Sequence, residues 1–280
     1  MSTPVRIIRH GHVTFLKWHR ARRQGGDPAF TGRRILEGMA AGASVEVDLV
    51  LTRDKGFAVL HDLALDRETT GTGPVAATGD DIIRQLRLRG EDGTPLPDPV
   101  MLLDDLCALM ASGTLHPDAL LQLDYKQDET VLDDRAIENF ARATRPVAGN
   151  LILSSGSAAA NRRLAAAVPG LRTGFDPSDE AQFRAALETG TLQGFVDAAL
   201  AAAPDAELIY LDWRIVTLSA DAGFDIVAAF HAAGKRIDAW TLPGADPGSV
   251  EPAERLLALK VDQITTDDPE GLLAALEQPR

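Results

Sequence analysis

Apolar residues along the chain fall into short runs separated by longer stretches of helical spacing. The sharpest run is Val45-Glu46-Val47-Asp48-Leu49, with Val45, Val47 and Leu49 on one face and Glu46 and Asp48 on the other. Thr52-Arg53-Asp54-Lys55-Gly56 then signals a turn, and Phe57-Ala58-Val59-Leu60-His61 reads as a second strand. The link is too short for a parallel crossover, so the two strands form a hairpin that returns His61 towards Glu46 and Asp48. Upstream, Val5-Arg6-Ile7-Ile8 reads as a strand running into the polar turn Arg9-His10-Gly11-His12. The basic stretch from Leu16 to Gly26 has no clear period and reads as a loop, or a short helix plus loop. Ile35, Leu36, Met39 and Ala40 recur at helical spacing after Thr31, until Gly42 stops the helix.

From Asp62 to Pro99 the chain is rich in Gly, Thr, Asp and Pro, with one helix predicted near 80–86, and it reads as an excursion. Beyond it the pattern is regular. Strands are predicted at 120–126, 151–154, 171–175, 207–212, 236–241 and 262–266, each followed by a helix. With the first strand and 45–50 this makes eight β-then-α units. The predicted fold is therefore α/β, a closed parallel (β/α)8 (TIM) barrel. It takes in residues 1–280 as one unit, with a small insertion after the second strand, about 52–99. A doubly wound sheet is the alternative, but no Gly-rich phosphate fingerprint follows the first strand.

The 280 residues suffice for such a barrel, and 45% hydrophobic with 25% charged residues is ordinary for a soluble protein. The net charge of -13 argues against a nucleic-acid partner, since no basic excess exists to displace counterions from a phosphate backbone. The single cysteine, Cys107, sits in an apolar run and reads as a small buried hydrophobe. No signal-like segment opens the chain and no run is long enough to span a bilayer, so the expected location is cytoplasmic.

In a barrel of this kind chemistry collects at the C-terminal ends of the strands. The polar residues expected there are Arg9 and His10, Glu46 and Asp48, Asp124 and Lys126, Ser154 and Ser155, Asp212, Trp240 and Thr241, and Thr266 and Asp267. Two carboxylates on one face of a covered strand require a cation or a proton to compensate them, and a hard divalent metal is the simplest. A solvent-facing antiparallel strand is the bland alternative for Glu46 and Asp48. Alone, His61 reads as an ordinary strand-end residue and Trp240 as core. His116 and His231 read as non-functional. His19 reads as part of a solvated basic run, with anion contact as the less favoured alternative.

Taken together these stretches resemble the glycerophosphodiester phosphodiesterases, metal-dependent (β/α)8 enzymes, across nearly the whole chain. Gly42 to Asp54 looks like the family's stretch with two metal carboxylates. Val59-Leu60-His61-Asp62 with Leu65-Asp66-Arg67 and Thr69 to Gly73 is similar to its second histidine motif. Leu123-Asp124-Tyr125-Lys126 falls where the family has an acidic ligand and a lysine, and Ala239-Trp240-Thr241 and Val261 to Pro269 are like its closing strands. The chain departs from the pattern in two places. Arg9-His10-Gly11 stands where the family usually opens with His-Arg-Gly, so the two side chains exchange roles or a bulge restores them. Pro28-Ala29-Phe30-Thr31 replaces Pro-Glu-Asn-Thr.

The resemblance implies that Glu46, Asp48 and Asp124 hold one Mg²⁺ or Ca²⁺, and that His10 and His61 serve as general base and general acid. It also implies that Lys126 and Arg9 contact phosphate and Trp240 the substrate, a small phosphodiester. The basic insertion 17–26, with Arg20, Arg22 and Arg23, is expected to grip a second anionic or polar moiety. An aspartate in the third ligand position is also found in sphingomyelinase D type phospholipases, which form cyclic phosphates. That activity and an inactive phospho-ligand-binding barrel are the alternative functions.

Overall fold

The structure is a computed structural model that describes residues 5–9 and 11–278. Its strands are β1 (Arg6–Arg9), β2 (His12–Trp18), β3 (Ser44–Leu51), β4 (Phe57–Val59), β5 (Arg87–Arg89), β6 (Pro95–Pro99), β7 (Leu120–Tyr125), β8 (Leu151–Ser154), β9 (Arg172–Phe175), β10 (Leu208–Asp212), β11 (Arg236–Leu242) and β12 (Gln263–Thr266). Eight of them form a closed parallel ring in the order β2-β12-β11-β10-β9-β8-β7-β3, with β2 pairing β3 through Trp18 and Val45. Helices cover the outside, so the expected (β/α)8 barrel is the observed one.

The first barrel strand differs from the expected one. Residues 6–9 form β1, which pairs antiparallel with β2 through Arg9 and His12 and has Ile7 as its one buried residue. The ring is entered by His12–Trp18, whose last residues, Leu16 to Trp18, overlap the stretch that read as a loop. Lys17 is 1% exposed, with its Nζ 2.7 Å from Asp238 Oδ2 across the barrel interior. A lysine with a buried partner does not mark solvent. One consequence governs the site: β2 ends at Trp18, so the residues delivered to the catalytic end are His19 and Arg20. Arg9 lies at the opposite end, where its Nη2 donates to the Leu276 carbonyl.

Strand β3 is buried along nearly its whole length, which answers the question its alternation posed. Val45, Val47 and Leu49 pack outward in the helix-covered core, and Glu46 and Asp48 face the barrel interior. The helix Gly32–Ala41 lies close against β2 and β3. A Cβ on Gly38 would come within 2.6 Å of Val45 Cγ2 and 3.3 Å of the Trp18 ring. The expected hairpin is present, with β4 antiparallel to β3 through Leu49 and Val59. It turns through Lys55 at φ +68°, and the Gly56 N–H donates to Thr52 Oγ1. The excursion that follows contains the helix Asp80–Ile83 and the β5–β6 hairpin, a sheet separate from the barrel.

Candidate active site

Register brings the acidic residues together. β3 and β7 are parallel neighbours with Glu46 opposite Gln122 and Asp48 opposite Asp124. Glu46 is 4% exposed and Asp48 1%, and one oxygen of each of Glu46, Asp48 and Asp124 lies within 4.8 Å of the others. Burial and the neighbouring Asp48 push the Glu46 carboxyl well above the usual carboxylate range. Burial would raise Asp48 too, but Lys126 and Arg20 outweigh it and hold that carboxyl low. Lys126 Nζ lies 2.7 Å from Asp48 Oδ1 and also bonds Asp124 Oδ2. Burial opposes the lysine's charge, yet the three carboxylates keep it firmly protonated.

Asp124 is steadied from inside the barrel. Its Oδ1 accepts from Ser154 Oγ at 2.7 Å, and that oxygen accepts from Gln122 Nε2 at 2.8 Å. Gln122 Oε1 in turn accepts from Lys17 Nζ. Asp238, the ion-pair partner of Lys17, also accepts from Thr265 Oγ1 at 2.6 Å. A continuous polar chain thus runs beneath the carboxylates where such barrels carry apolar layers.

Two imidazoles flank the cluster, each backed by a carboxylate. His61 Nδ1 is 2.9 Å from Asp62 Oδ1, and hydrogen bonds from Arg67 hold Asp62 ionised with a pKa of about 2. Glu68, for which no role was expected, accepts the N–H groups of both His61 and Asp62 at 2.9 Å and fixes that turn. His19 Nδ1 is 2.7 Å from Asp267 Oδ1, and its Nε2 is 4.0 Å from Glu46 Oε2. Burial lowers the His19 pKa, with Asp267 opposing. Arg20 donates its N–H to Glu46 Oε2 at 2.8 Å and places Nε 3.3 Å from Asp48 Oδ2. Arg20 and Ala21 both adopt left-handed backbone, φ +51° and +60°. Ala21 therefore takes a conformation that favours glycine, and His19-Arg20-Ala21 matches the His-Arg-Gly pattern except there. Phe30, in place of the pattern's asparagine, is also left-handed at φ +61° and donates its N–H to the Arg20 carbonyl.

Of the expected site residues, the structure brings together Glu46, Asp48, Asp124, Lys126, His61 and Trp240, around one cleft of about 190 Å³. It removes Arg9 to the far end and puts Arg20 in the cleft. The expected catalytic His10 lies outside the described residues, and His19 supplies the imidazole. His12 faces the Val261 carbonyl and His231 pairs with Asp262, both away from the cleft. Asp176, at the end of β9, also lines the cleft; burial raises its pKa to about 7. A lone aspartate after a short strand carried no sequence signal for this.

The model of the Glycerophosphoryl diester phosphodiesterase family matches residues 34–271. The chain belongs to that family. It is thereby one of a family of phosphoric diester hydrolases. Solved structures agree in fold. A glycerophosphodiester phosphodiesterase from Agrobacterium tumefaciens str. C58 is 20% identical with a TM-score of 0.64, over 93% of this chain and 99% of that one. One from Thermotoga maritima is 18% identical with a TM-score of 0.63, over 93% and 97%. An Oleispira antarctica phosphodiesterase, solved with the product sn-glycerol-3-phosphate, is 19% identical with a TM-score of 0.65, over 94% and 96%. No curated protein matches the chain. Among the described residues of this family member, no single helix is long and apolar enough to cross a membrane.

Proposed function

We propose that the chain hydrolyses glycerophosphodiesters to glycerol phosphate and an alcohol, using a divalent cation and two histidines. The observation that carries this reading is the cluster of Glu46, Asp48 and Asp124 at the cleft, flanked by two carboxylate-backed imidazoles. The donor set fits a hard cation. All three ligands are oxygens, and burial beside Asp48 raises the Glu46 pKa, in keeping with a site that favours a cation among its carboxylates. Mg²⁺ or Ca²⁺ suits such ligands. When bound, it supplies Lewis-acid stabilisation of the charge that develops on phosphate oxygen.

The chain's own residues do the rest. Lys126 and Arg20 place two fixed cations beside the phosphate position, where they stabilise charge in the transition state more than in the ground state. Asp267 and Asp62 each orient an imidazole through Nδ1, which leaves Nε2 for proton transfer. His19, which burial keeps neutral, takes the proton from the nucleophile, either water or a neighbouring substrate hydroxyl whose cyclic phosphate a water then opens. His61, at the more open side, gives a proton to the leaving alkoxide. Trp240 and Asp176 wall the side of the cleft where the substrate's organic part lies. Glycerophosphocholine turnover, followed by glycerol phosphate release, tests the reading. It is expected with Mg²⁺ or Ca²⁺, to stop with chelator, and to fall by about 10²–10⁴ in His61→Ala. Undiminished turnover in chelator or in the purified variant would refute it.

A further inference from the structure

Beside the catalytic cleft lies a second cavity of about 120 Å³, between the loop after β2 and the β5–β6 hairpin. Four arginines line it, Arg20, Arg22, Arg67 and Arg89, against two carboxylates, Glu68 and Glu91. Three of the arginines have carboxylate partners, some outside the cavity: Arg67 bonds Asp62, Arg22 Nη1 donates to Asp267 Oδ1 at 2.8 Å, and Arg20 Nε lies 3.3 Å from Asp48 Oδ2, so the uncompensated charge is that of Arg89. Glu68 Oε2 is engaged by the His61 and Asp62 N–H groups, and its Oε1 accepts from Arg67 Nη2 at 3.1 Å. Glu91 bonds Arg22 Nη2 from the rim of the cavity, with its side chain 69% exposed. Arg89 has no carboxylate partner among the described residues. Its Nε and Nη1 donate to the Thr69 and Gly93 carbonyls, each at 2.6 Å, which fixes the guanidinium without cancelling its charge. Arg22 is 9% exposed, and its buried Nε has no acceptor. Arg23, expected to act with these residues, turns away to pair with Glu37 and Glu270.

We propose that this cavity is a second anion site, built for one tetrahedral oxyanion. Its volume of about 120 Å³ has room for a phosphoryl group. Arg20 lines both cavities, so the second anion sits one guanidinium away from the cleft. Two sources share this chemistry: a second phosphoryl group carried on the alcohol of the substrate, or free inorganic phosphate. The first rests on the phosphodiesterase reading; the site itself does not.

Titration of metal-free protein with inorganic phosphate, read by ³¹P NMR or calorimetry, measures the site, and Arg89, which lines this cavity and not the cleft, separates its binding from any in the cleft. Arg89→Gln is expected to weaken binding roughly tenfold or more, as for one lost charge-assisted contact. Glu91→Gln, an exposed substitution that removes the rim carboxylate and frees Arg22 Nη2 while Nη1 keeps Asp267, is expected to tighten it severalfold. A second arm compares kcat/KM for a glycerophosphodiester whose alcohol bears a phosphate monoester with that for its unphosphorylated counterpart. If binding and this ratio both fall in Arg89→Gln and rise in Glu91→Gln, the anion is carried by the substrate. If binding shifts and the ratio does not, the site holds free phosphate. Phosphate binding that neither variant changes would overturn the proposal. Binding that shifts in a protein without turnover would sink the phosphodiesterase reading and leave the anion site standing.

Discussion

Replacing Glu46 by Gln should stabilise the protein in chelator while abolishing turnover. The Glu46 carboxylate is buried within 4.8 Å of the Asp48 and Asp124 oxygens. Like charges at that separation repel by about 3.5 kcal/mol per pair at an effective dielectric of 20. Lys126 offsets one of the two pairs. Gln keeps an acceptor for the Arg20 N–H, and relaxation and cleft water reduce what remains to about 1–2 kcal/mol. At roughly 2–4 °C per kcal/mol for a chain of this size, the expected rise in Tm is about 3–6 °C. The pH dependence carries a sign. The folded-state pKa of Glu46 lies above its unfolded value, so the native state binds the extra proton between the two. Wild-type stability therefore carries no penalty below the unfolded pKa and loses stability as pH rises towards the folded one. The gain from Gln must be larger at pH 8 than at pH 5. Saturating Mg²⁺ or Ca²⁺ should reverse the order, because wild type gains about 2.7 kcal/mol at a hundred times Kd and the variant gains less. Thermal melts in chelator and in metal, at both pH values, read all of this. A variant less stable than wild type in chelator at pH 8 would show that the carboxylates are not in mutual repulsion.

The remaining predictions follow from placement. His19→Ala should lower kcat by about 10²–10⁴ while Arg9→Ala leaves it within twofold; the reverse pattern would restore the first turn to the catalytic end. Asp176→Asn should gain stability over wild type as pH rises from about 4 to about 7, because the Asp176 pKa of about 7 lies above the unfolded value. The gain should reach about 1–2 kcal/mol after allowance for cleft water, and Tm curves parallel across that range would contradict it. Gly38→Ala should cost about 1–3 kcal/mol in denaturant unfolding, since its Cβ meets Val45 and Trp18; a neutral effect would mean the helix can lift from β2 and β3.

Much of the fold was legible because barrel strands and helices differ in period. Val45 to Leu49 alternates at two and the helices recur near 3.6, and both follow from local geometry. The errors came where a local signal was equal for two outcomes. Residues 5–8 and 12–18 are both short extended runs, and nothing in either says which one enters the ring. The run 12–18 prevails because Lys17 finds Asp238 and Gln122 across the interior, a pairing more than a hundred residues away in each case. Mistaking the strand put the expected arginine, Arg9, at the wrong end, although His19-Arg20-Ala21 lay in plain view. Alanine in a left-handed position hid the pattern that glycine would have marked.

From residue order alone came seven of the eight barrel strands, the paired carboxylates of β3, the hairpin that returns His61, and the Asp124–Lys126 pair. Each depends on neighbours a few positions apart. What tertiary structure decided was which side chains share a dielectric environment. Asp267 backs His19 and Ser154 steadies Asp124 through contacts between distant segments, Glu68 pins His61 by a fold-back of the chain, and Arg89 has no carboxylate partner among the described residues. Charge and proton affinity depend on distance through space, and spacing along the chain does not report that distance once the barrel has closed.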